Sequence, residues 1–361
     1  MKLLLSLKQS KQALKNLVNI AKTTKQPDYL SFVLIEAKDG VITAKATNLQ
    51  ASTIELLTGE IEQEGSSLLE SSFLAKIASL DIDLIDIFVD EVTLHAEAKA
   101  KKIKLIPKVL NPDLYPSITA ENGDFVNVSL EDTQDLIKMI NICTPSISTE
   151  EARPKLTGLL FEADRDRENS LTLVSTDGHR LTRVFTDIKI NFVSALVPRT
   201  SLSMLISFLA ACESIEMGIS KGNLILVDNK KRFLLIRLID ETFPEYRAII
   251  PKRDNKLRIK FSEDIKDAFK TASKFLTDDK AIHIKGDAKA NRFKLEIDQA
   301  FEFSELLDSD EIDYKSSFKY DYLSLALDST DLFFHDYSET TPLLCESDDA
   351  KITQIVMARR R

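Results

Sequence analysis

Residues 261–276, FSEDIKDAFKTASKFL, carry the pattern that decides the fold. Ile265, Ala268, Phe269, Ala272 and Leu276 fall at i, i+3, i+4, i+7 and i+11, one apolar stripe of an amphipathic helix with a serine at its start. Two earlier stretches have the same form: SLKQSKQALKNLVNIAK from Ser6 and SLEDTQDLIKMINIC from Ser129. Their starts are spaced by roughly 120–130 residues, too long for a solenoid unit and suited to whole domains. Each copy is followed by two strand-like runs around a polar turn. After the first copy the turn is Lys38-Asp39-Gly40, where Asp-Gly supplies the positive φ of a tight hairpin. A second helix then follows in each copy, over Ser72–Leu80, Thr200–Cys212 and Tyr320–Leu327, and further alternating strands come after it. Short strands joined by hairpins imply antiparallel sheets, with helices covering their apolar face: an α+β fold. The domain boundaries are placed near Gly123 and Asp254, giving 1–123, 124–254 and 255–361.

Composition fits this reading. The 361 residues are 43% apolar and 29% charged, as in a folded globular chain. No run approaches the ~20 apolar residues of a membrane helix. The opening MKLLLSLKQSKQ resembles a signal peptide for only about six residues, without an apolar region or cleavage site, and reads as a strand. Cys143, Cys212 and Cys345 are far apart and match no metal spacing; they read as reduced core thiols of a cytoplasmic protein, with no cofactor and no metal implied. The net charge of −9 argues against a nucleic-acid partner until the basic residues are located. Lys8, Lys11, Lys15 and Lys22 fall at i, i+3, i+7 and i+14 of the first helix, within about 60° of one another and away from the stripe of Ala13, Leu14, Leu17 and Ala21. Lys25 follows. Lys266, Lys270 and Lys274 form a second stripe, whereas Asp132 and Asp135 dominate the middle helix beside Lys138. Such stripes read either as solvated helix faces or as phosphate-attracting walls.

Three strings then stand out: Ala152–Glu162 (ARPKLTGLLFE), Ser175–Leu181 (STDGHRL) and Thr242–Pro251 (TFPEYRAIIP). In order and spacing they resemble the bacterial DNA polymerase III beta subunit, the sliding clamp, and with the threefold repeat the resemblance spans the chain. It implies three DNA-clamp domains per protomer and a head-to-tail homodimeric ring with helices inside and sheets outside. Such a ring encircles double-stranded DNA without sequence specificity and confers processivity on a DNA-directed DNA polymerase without itself being an enzyme. The channel residues would be Lys8, Lys11, Lys15, Lys22, Lys25, Arg199, Lys266 and Lys270, and the dimer contacts Tyr115, Phe275 and Leu276. The resemblance also implies a pocket for short linear motifs of the replicative polymerase, clamp loader and repair proteins. Its residues here would be Leu156, Thr176, Gly178, His179, Arg180, Leu181, Pro244, Ile249, Val356 and Met357. Read from the residues alone, Leu156, Leu181 and Ile249 are equally core positions and Thr176-Asp177-Gly178 an ordinary turn.

The chain departs from the family at its end, Ile355-Val-Met-Ala-Arg-Arg-Arg361, with Arg359 where the family places an apolar side chain. Two expectations compete there: a basic pocket rim of Arg180, Arg359 and Arg360, or a frayed, solvated tail. The competing functional reading is a hydrolase using Ser175, Asp177 and His179. Three triad members within five residues do not easily reach mutual in-line geometry, and no nucleophile elbow, HExxH or phosphate loop is present.

Overall fold

The computed structural model describes residues 1–21, 28–80, 82–89, 94–98, 103–105, 109–118, 125–252, 257–260, 262–276, 281–287, 292–297, 300–306, 314–335 and 341–359. Both expected domain boundaries, together with Lys22, Lys25 and Arg360, lie outside these residues. The described helices are α1 (Leu7–Ala21), α2 (Ser71–Ala78), α3 (Leu130–Cys143), α4 (Leu202–Leu209), α5 (Glu263–Ala272) and α6 (Tyr320–Ser329). The order strand, helix, strands, helix, strands recurs three times, beginning with the strands Lys2–Ser6, Phe125–Val128 and Leu257–Lys260.

Local chemistry accounts for these starts. The Ser262 hydroxyl caps α5 by accepting from the Ile265 N–H at 3.1 Å, and Glu263 and Asp264 lie in the first turn, where the helix dipole favours anions. Ser129 and Asp132 cap α3 reciprocally: Ser129 Oγ accepts from the Asp132 N–H at 3.2 Å and donates to the Asp132 carboxylate at 2.7 Å. Asp39 and Gly40 both adopt positive φ, 51° and 76°, closing the hairpin of Phe32–Lys38 and Val41–Thr47.

The chain divides into two compact units, residues 1–137 with 188–240, and residues 138–187 with 241–361. In the first unit a nine-stranded sheet runs from Val109–Leu110 at one edge to Phe125–Val128 at the other. Its middle is the antiparallel pairing of Ala51–Leu57 with Phe233–Arg237, in register Phe233↔Ile54, which fuses strands of the first and second repeats. A five-stranded sheet contains the N-terminal strand Lys2–Ser6. Helix α1 packs on α2, on α4 and on strand Ala51–Leu57, burying Ala13, Leu14, Leu17 and Ala21 as the spacing predicts.

That packing also buries polar groups. Glu55 is fully enclosed; its carboxylate accepts from Asn16 Nδ2 at 2.8 Å and lies 3.5 Å from Arg232 Nη1, while Arg232 is paired more closely with Asp228 at 2.6 Å. Burial lifts the Glu55 carboxyl to about 7 against the opposing pull of Asn16 and Arg232.

In the second unit, strands Gly158–Asp164, Ser170–Thr176, Arg180–Lys189, Ile352–Val356, Leu343–Glu346, Leu332–His335 and Leu257–Lys260 are consecutive neighbours, so the C-terminal strand lies beside the middle repeat. A four-stranded sheet, with Phe301–Leu306 at one edge, carries α5 and α6 over a core that includes Ile265, Phe269, Leu295, Phe318 and Leu323. The Tyr320 hydroxyl donates to the Phe269 carbonyl at 2.8 Å and locks α6 to α5. All three cysteines are buried free thiols, and burial raises each thiol, Cys212 to about 12. Among the described residues no helix is long and apolar enough to cross a membrane.

Candidate functional site: a groove beside the C-terminal strand

The groove is built around the turn between strands Ser170–Thr176 and Arg180–Lys189. One Asp177 oxygen accepts from the backbone N–H of His179 at 2.9 Å and of Arg180 at 3.0 Å; the other accepts from Arg180 Nε at 3.0 Å. The Thr176 hydroxyl accepts from the Gly178 N–H at 3.1 Å and donates to the Arg180 carbonyl at 2.6 Å. Gly178 sits at φ +90°, a backbone conformation that favours glycine, and a Cβ there would come 3.2 Å from Arg153 Nη1, the movable end of an exposed side chain. The Thr-Asp-Gly run is therefore an Asx-type turn, and it places Gly178 and His179 on the groove wall.

The C-terminal strand pairs with this hairpin in register Arg180↔Val356 and Leu181↔Ile355. Beyond it the chain stays attached: the Met357 N–H donates to the His179 carbonyl at 2.9 Å and the Arg359 N–H to the Ser317 carbonyl at 2.7 Å. The other wall is the start of α6. The resulting groove, of about 640 Å³, is lined by Gly178, His179, Lys319, Tyr322, Met357, Ala358 and Arg359. Tyr322 is its centre: the Arg180 guanidinium lies 4.4 Å and the Lys319 ammonium 4.6 Å from the ring centroid, and the His179 ring stacks at 6.5 Å and 20°. Arg180 is committed to Asp177 and to the Pro145 carbonyl, so its charge is largely answered within the turn.

Of the residues expected in a peptide pocket, Gly178, His179 and Met357 line this groove, and Thr176 and Arg180 hold its turn. Leu156 and Leu181 are buried at 6% and 1% exposure, as their core reading has it, and Val356 is buried as well at 1%. Pro244 is half-buried, and Ile249 is 52% exposed on the short turn Arg247–Ile249. Arg359 lines the groove with its backbone bonded, so the frayed-tail expectation fails at that residue. Lys319, Tyr322 and Ala358 belong to the groove and were not anticipated. The expected helix over Tyr320–Leu327 includes Tyr322, but only the fold shows that its start meets the C-terminal segment at Ala358.

Two of the strings also meet. Glu162, the last residue of the first string, accepts from the Tyr246 hydroxyl at 2.8 Å and from Arg247 Nη2 at 2.9 Å, residues of the third. Tyr246 is buried, and burial followed by Glu162 raises its hydroxyl. The hydrolytic alternative is not assembled: Ser175 is fully buried with its hydroxyl donating to the Cys143 carbonyl at 2.7 Å, and Asp177 is occupied by the turn.

Lys8, Lys11 and Lys15 are exposed on α1, in line with their stripe. On α5, however, Lys266 and Lys270 each meet an acid one turn earlier, Glu263 at 3.4 Å and Asp267 at 3.2 Å, so that stripe is partly neutralised by its own helix. Arg199 is half-buried in the short turn Arg199–Ser201 before α4. Phe275 is 45% exposed and stacks on Phe301 at 5.9 Å, and Leu276 packs against the core. Tyr115 is buried among Phe32, Leu34 and Leu68, accepting from the Thr47 N–H at 2.9 Å, so most of its ring serves its own unit.

Comparison with known proteins agrees with this architecture. Residues 130–245 match the family described as DNA polymerase III beta subunit, central domain. The Beta sliding clamp of Rickettsia felis is 26% identical over 232 residues, covering 63% of this chain and 60% of that one. That of Vibrio cholerae is 26% identical over 250 residues, covering 68% and 66%. The chain thus aligns with about three fifths to two thirds of the length of these relatives. The solved beta sliding clamp of C. crescentus superposes with a TM-score of 0.87 at 19% identity, covering 100% of this chain and 99% of that one. The fold is the DNA-clamp fold. The chain thus has the fold of the solved beta sliding clamps and, over part of its length, is similar in sequence to bacterial beta sliding clamps.

Proposed function

We propose that the chain is a sliding clamp: two copies close head to tail around double-stranded DNA and tether the replicative polymerase, without catalysing a reaction themselves. The observation that carries this reading is the threefold element order, matched over the whole chain to a solved clamp. Exposed Lys8, Lys11 and Lys15 on α1 supply cations for phosphates without any base-reading element, which suits a channel that holds DNA loosely. Phe275 on Phe301, beside the strand Phe301–Leu306 at the edge of its sheet among the described residues, supplies an apolar contact at a sheet edge, the combination that ring closure would cover. The groove at Gly178, His179 and Met357 is the docking site for short linear motifs of the polymerase, clamp loader and repair proteins, with Ile249 offering a further exposed apolar contact.

Primer extension by the polymerase of the same replication system, with its clamp loader, tests this reading. Added protein should lengthen the product made per binding event on circular templates. Light scattering should give about twice the 40.7 kDa chain mass. Unchanged product length together with a monomeric mass would refute it.

A further inference from the structure

Resting on the peptide-docking reading, we propose that Glu162 is a positioning residue of the docking site: by clasping Tyr246 and Arg247 it fixes the short turn that presents Ile249 to an apolar anchor of the bound motif. Glu162 stands on strand Gly158–Asp164, held in the sheet opposite Thr172, so its carboxylate projects from a rigid platform. Both of its oxygens are committed to the turn. Oε2 accepts from the Tyr246 hydroxyl at 2.8 Å and from Arg247 Nη2 at 2.9 Å, and Oε1 accepts from Arg247 Nη1 at 3.3 Å. Such a two-pronged contact fixes direction as well as distance. Tyr246 is buried with its ring edge-on to Phe243 at 6.3 Å, and the Arg247 guanidinium lies 4.8 Å from the Tyr246 ring centroid. Burial, then Glu162, raises the Tyr246 hydroxyl, which keeps it protonated and donating.

What the clasp holds is otherwise weakly tied. The turn Arg247–Ile249 is three residues long, and its own backbone bonds are long: the Ile249 N–H to the Tyr246 carbonyl at 3.2 Å and the Ile250 N–H to the Arg247 carbonyl at 3.3 Å. Tyr246 and Arg247 stand at its head, while Ile249 at its tail is 52% exposed. A loose turn would have to be ordered each time a motif docked, and affinity would fall as the turn spent less time in place. Glu162 is not among the residues lining the groove, so its influence on a bound motif runs through Ile249.

The test uses fluorescence anisotropy with the intact protein and a fluorescein-labelled peptide that has an amidated C-terminus and Leu and Phe anchors. Glu162→Gln keeps the size and one acceptor but removes the charge that holds Arg247, and it should weaken binding about three- to fivefold. Ile249→Ala removes the presented side chain and should weaken binding about fivefold or more. The two substitutions together should bind no more weakly than Ile249→Ala alone, because the clasp then positions nothing. Combined instead with Met357→Ala on the groove wall, Glu162→Gln should show its full factor. Tyr246→Phe removes one hydroxyl from the clasp but keeps its packing; it should repeat the pattern at smaller size, and it decides the matter if Glu162→Gln does not fold. Additive losses from Glu162→Gln and Ile249→Ala would mean that Glu162 serves the unit's general stability, and they overturn the proposal. Parent-like binding by Ile249→Ala, or by both Glu162→Gln and Tyr246→Phe, also overturns it while leaving docking intact. If the parent protein binds no peptide at all, the docking reading itself fails, a distinguishable result.

Discussion

Asp177 illustrates how one side chain serves both stability and site geometry. It satisfies two backbone N–H groups and the charge of half-buried Arg180. Asp177→Ala leaves those donors unanswered and should destabilise the second unit by about 2–3 kcal/mol, measured by urea denaturation. Asp177→Asn retains the turn's acceptor and should lose less; equal losses for the two would mean that the turn bonds are not what matters. The Thr176-Asp177-Gly178 run reads as an ordinary turn, and the structure has a turn there, with Gly178 at positive φ. Residues drawn from distant sequence were not legible in this way. Lys319 and Tyr322 reach the groove only because α6 starts beside the C-terminal strand, and Glu162 meets Tyr246 and Arg247 only through folding.

The helices show what periodicity can and cannot reveal. The stripes of α1 and α5 marked residues that are buried, Ala13, Leu14, Leu17 and Ala21 and then Ile265, Ala268, Phe269 and Ala272, although α1 also buries Asn16, Val18 and Ile20. Charge stripes are weaker guides, because a lysine's neighbour one turn back decides whether its charge is free. Glu263 and Asp267 answer the lysines of α5, whereas the exposed lysines of α1 have polar Gln9, Gln12 and Asn19 on the same exposed side. Lys8, Lys11 and Lys15 changed together to Glu should therefore reduce loading onto nicked circular DNA, most at low salt and less as salt screens the phosphates, with a melting temperature nearly unchanged. Unchanged loading at every salt concentration would place the stripe away from DNA.

Behind the same helix, Glu55 gives a pH signature. Its folded value of about 7 exceeds the ordinary 4.5, so the folded chain holds a proton that the unfolded chain releases between those values. Its contribution is fully favourable below about 4.5 and is lost as pH rises through about 7, by up to ~3 kcal/mol. Glu55→Gln cannot titrate, so the stability difference between variant and parent should shift in the variant's favour from pH 5 to pH 8. A difference that is flat across this range contradicts the assignment.

At the scale of the whole molecule, the repeats are not independent packages. The pairing of Ala51–Leu57 with Phe233–Arg237 joins strands of two repeats in the nine-stranded sheet, and that of Arg180–Lys189 with Ile352–Val356 does so in the sheet of the second unit. This explains why a periodicity legible in sequence resolves into two compact units: strand pairing between repeats leaves no amphipathic signature of its own. The central claim, that linkage to DNA is topological and not a matter of affinity, is tested by loading the protein onto nicked circular plasmid, isolating the complex by gel filtration, and then cutting the plasmid once. The parent protein should stay with the circle and leave once the DNA is linear, while Phe275→Asp, which places a charge in the proposed ring contact, should not be retained even on the circle. Retention on linear DNA equal to that on the circle would contradict the account.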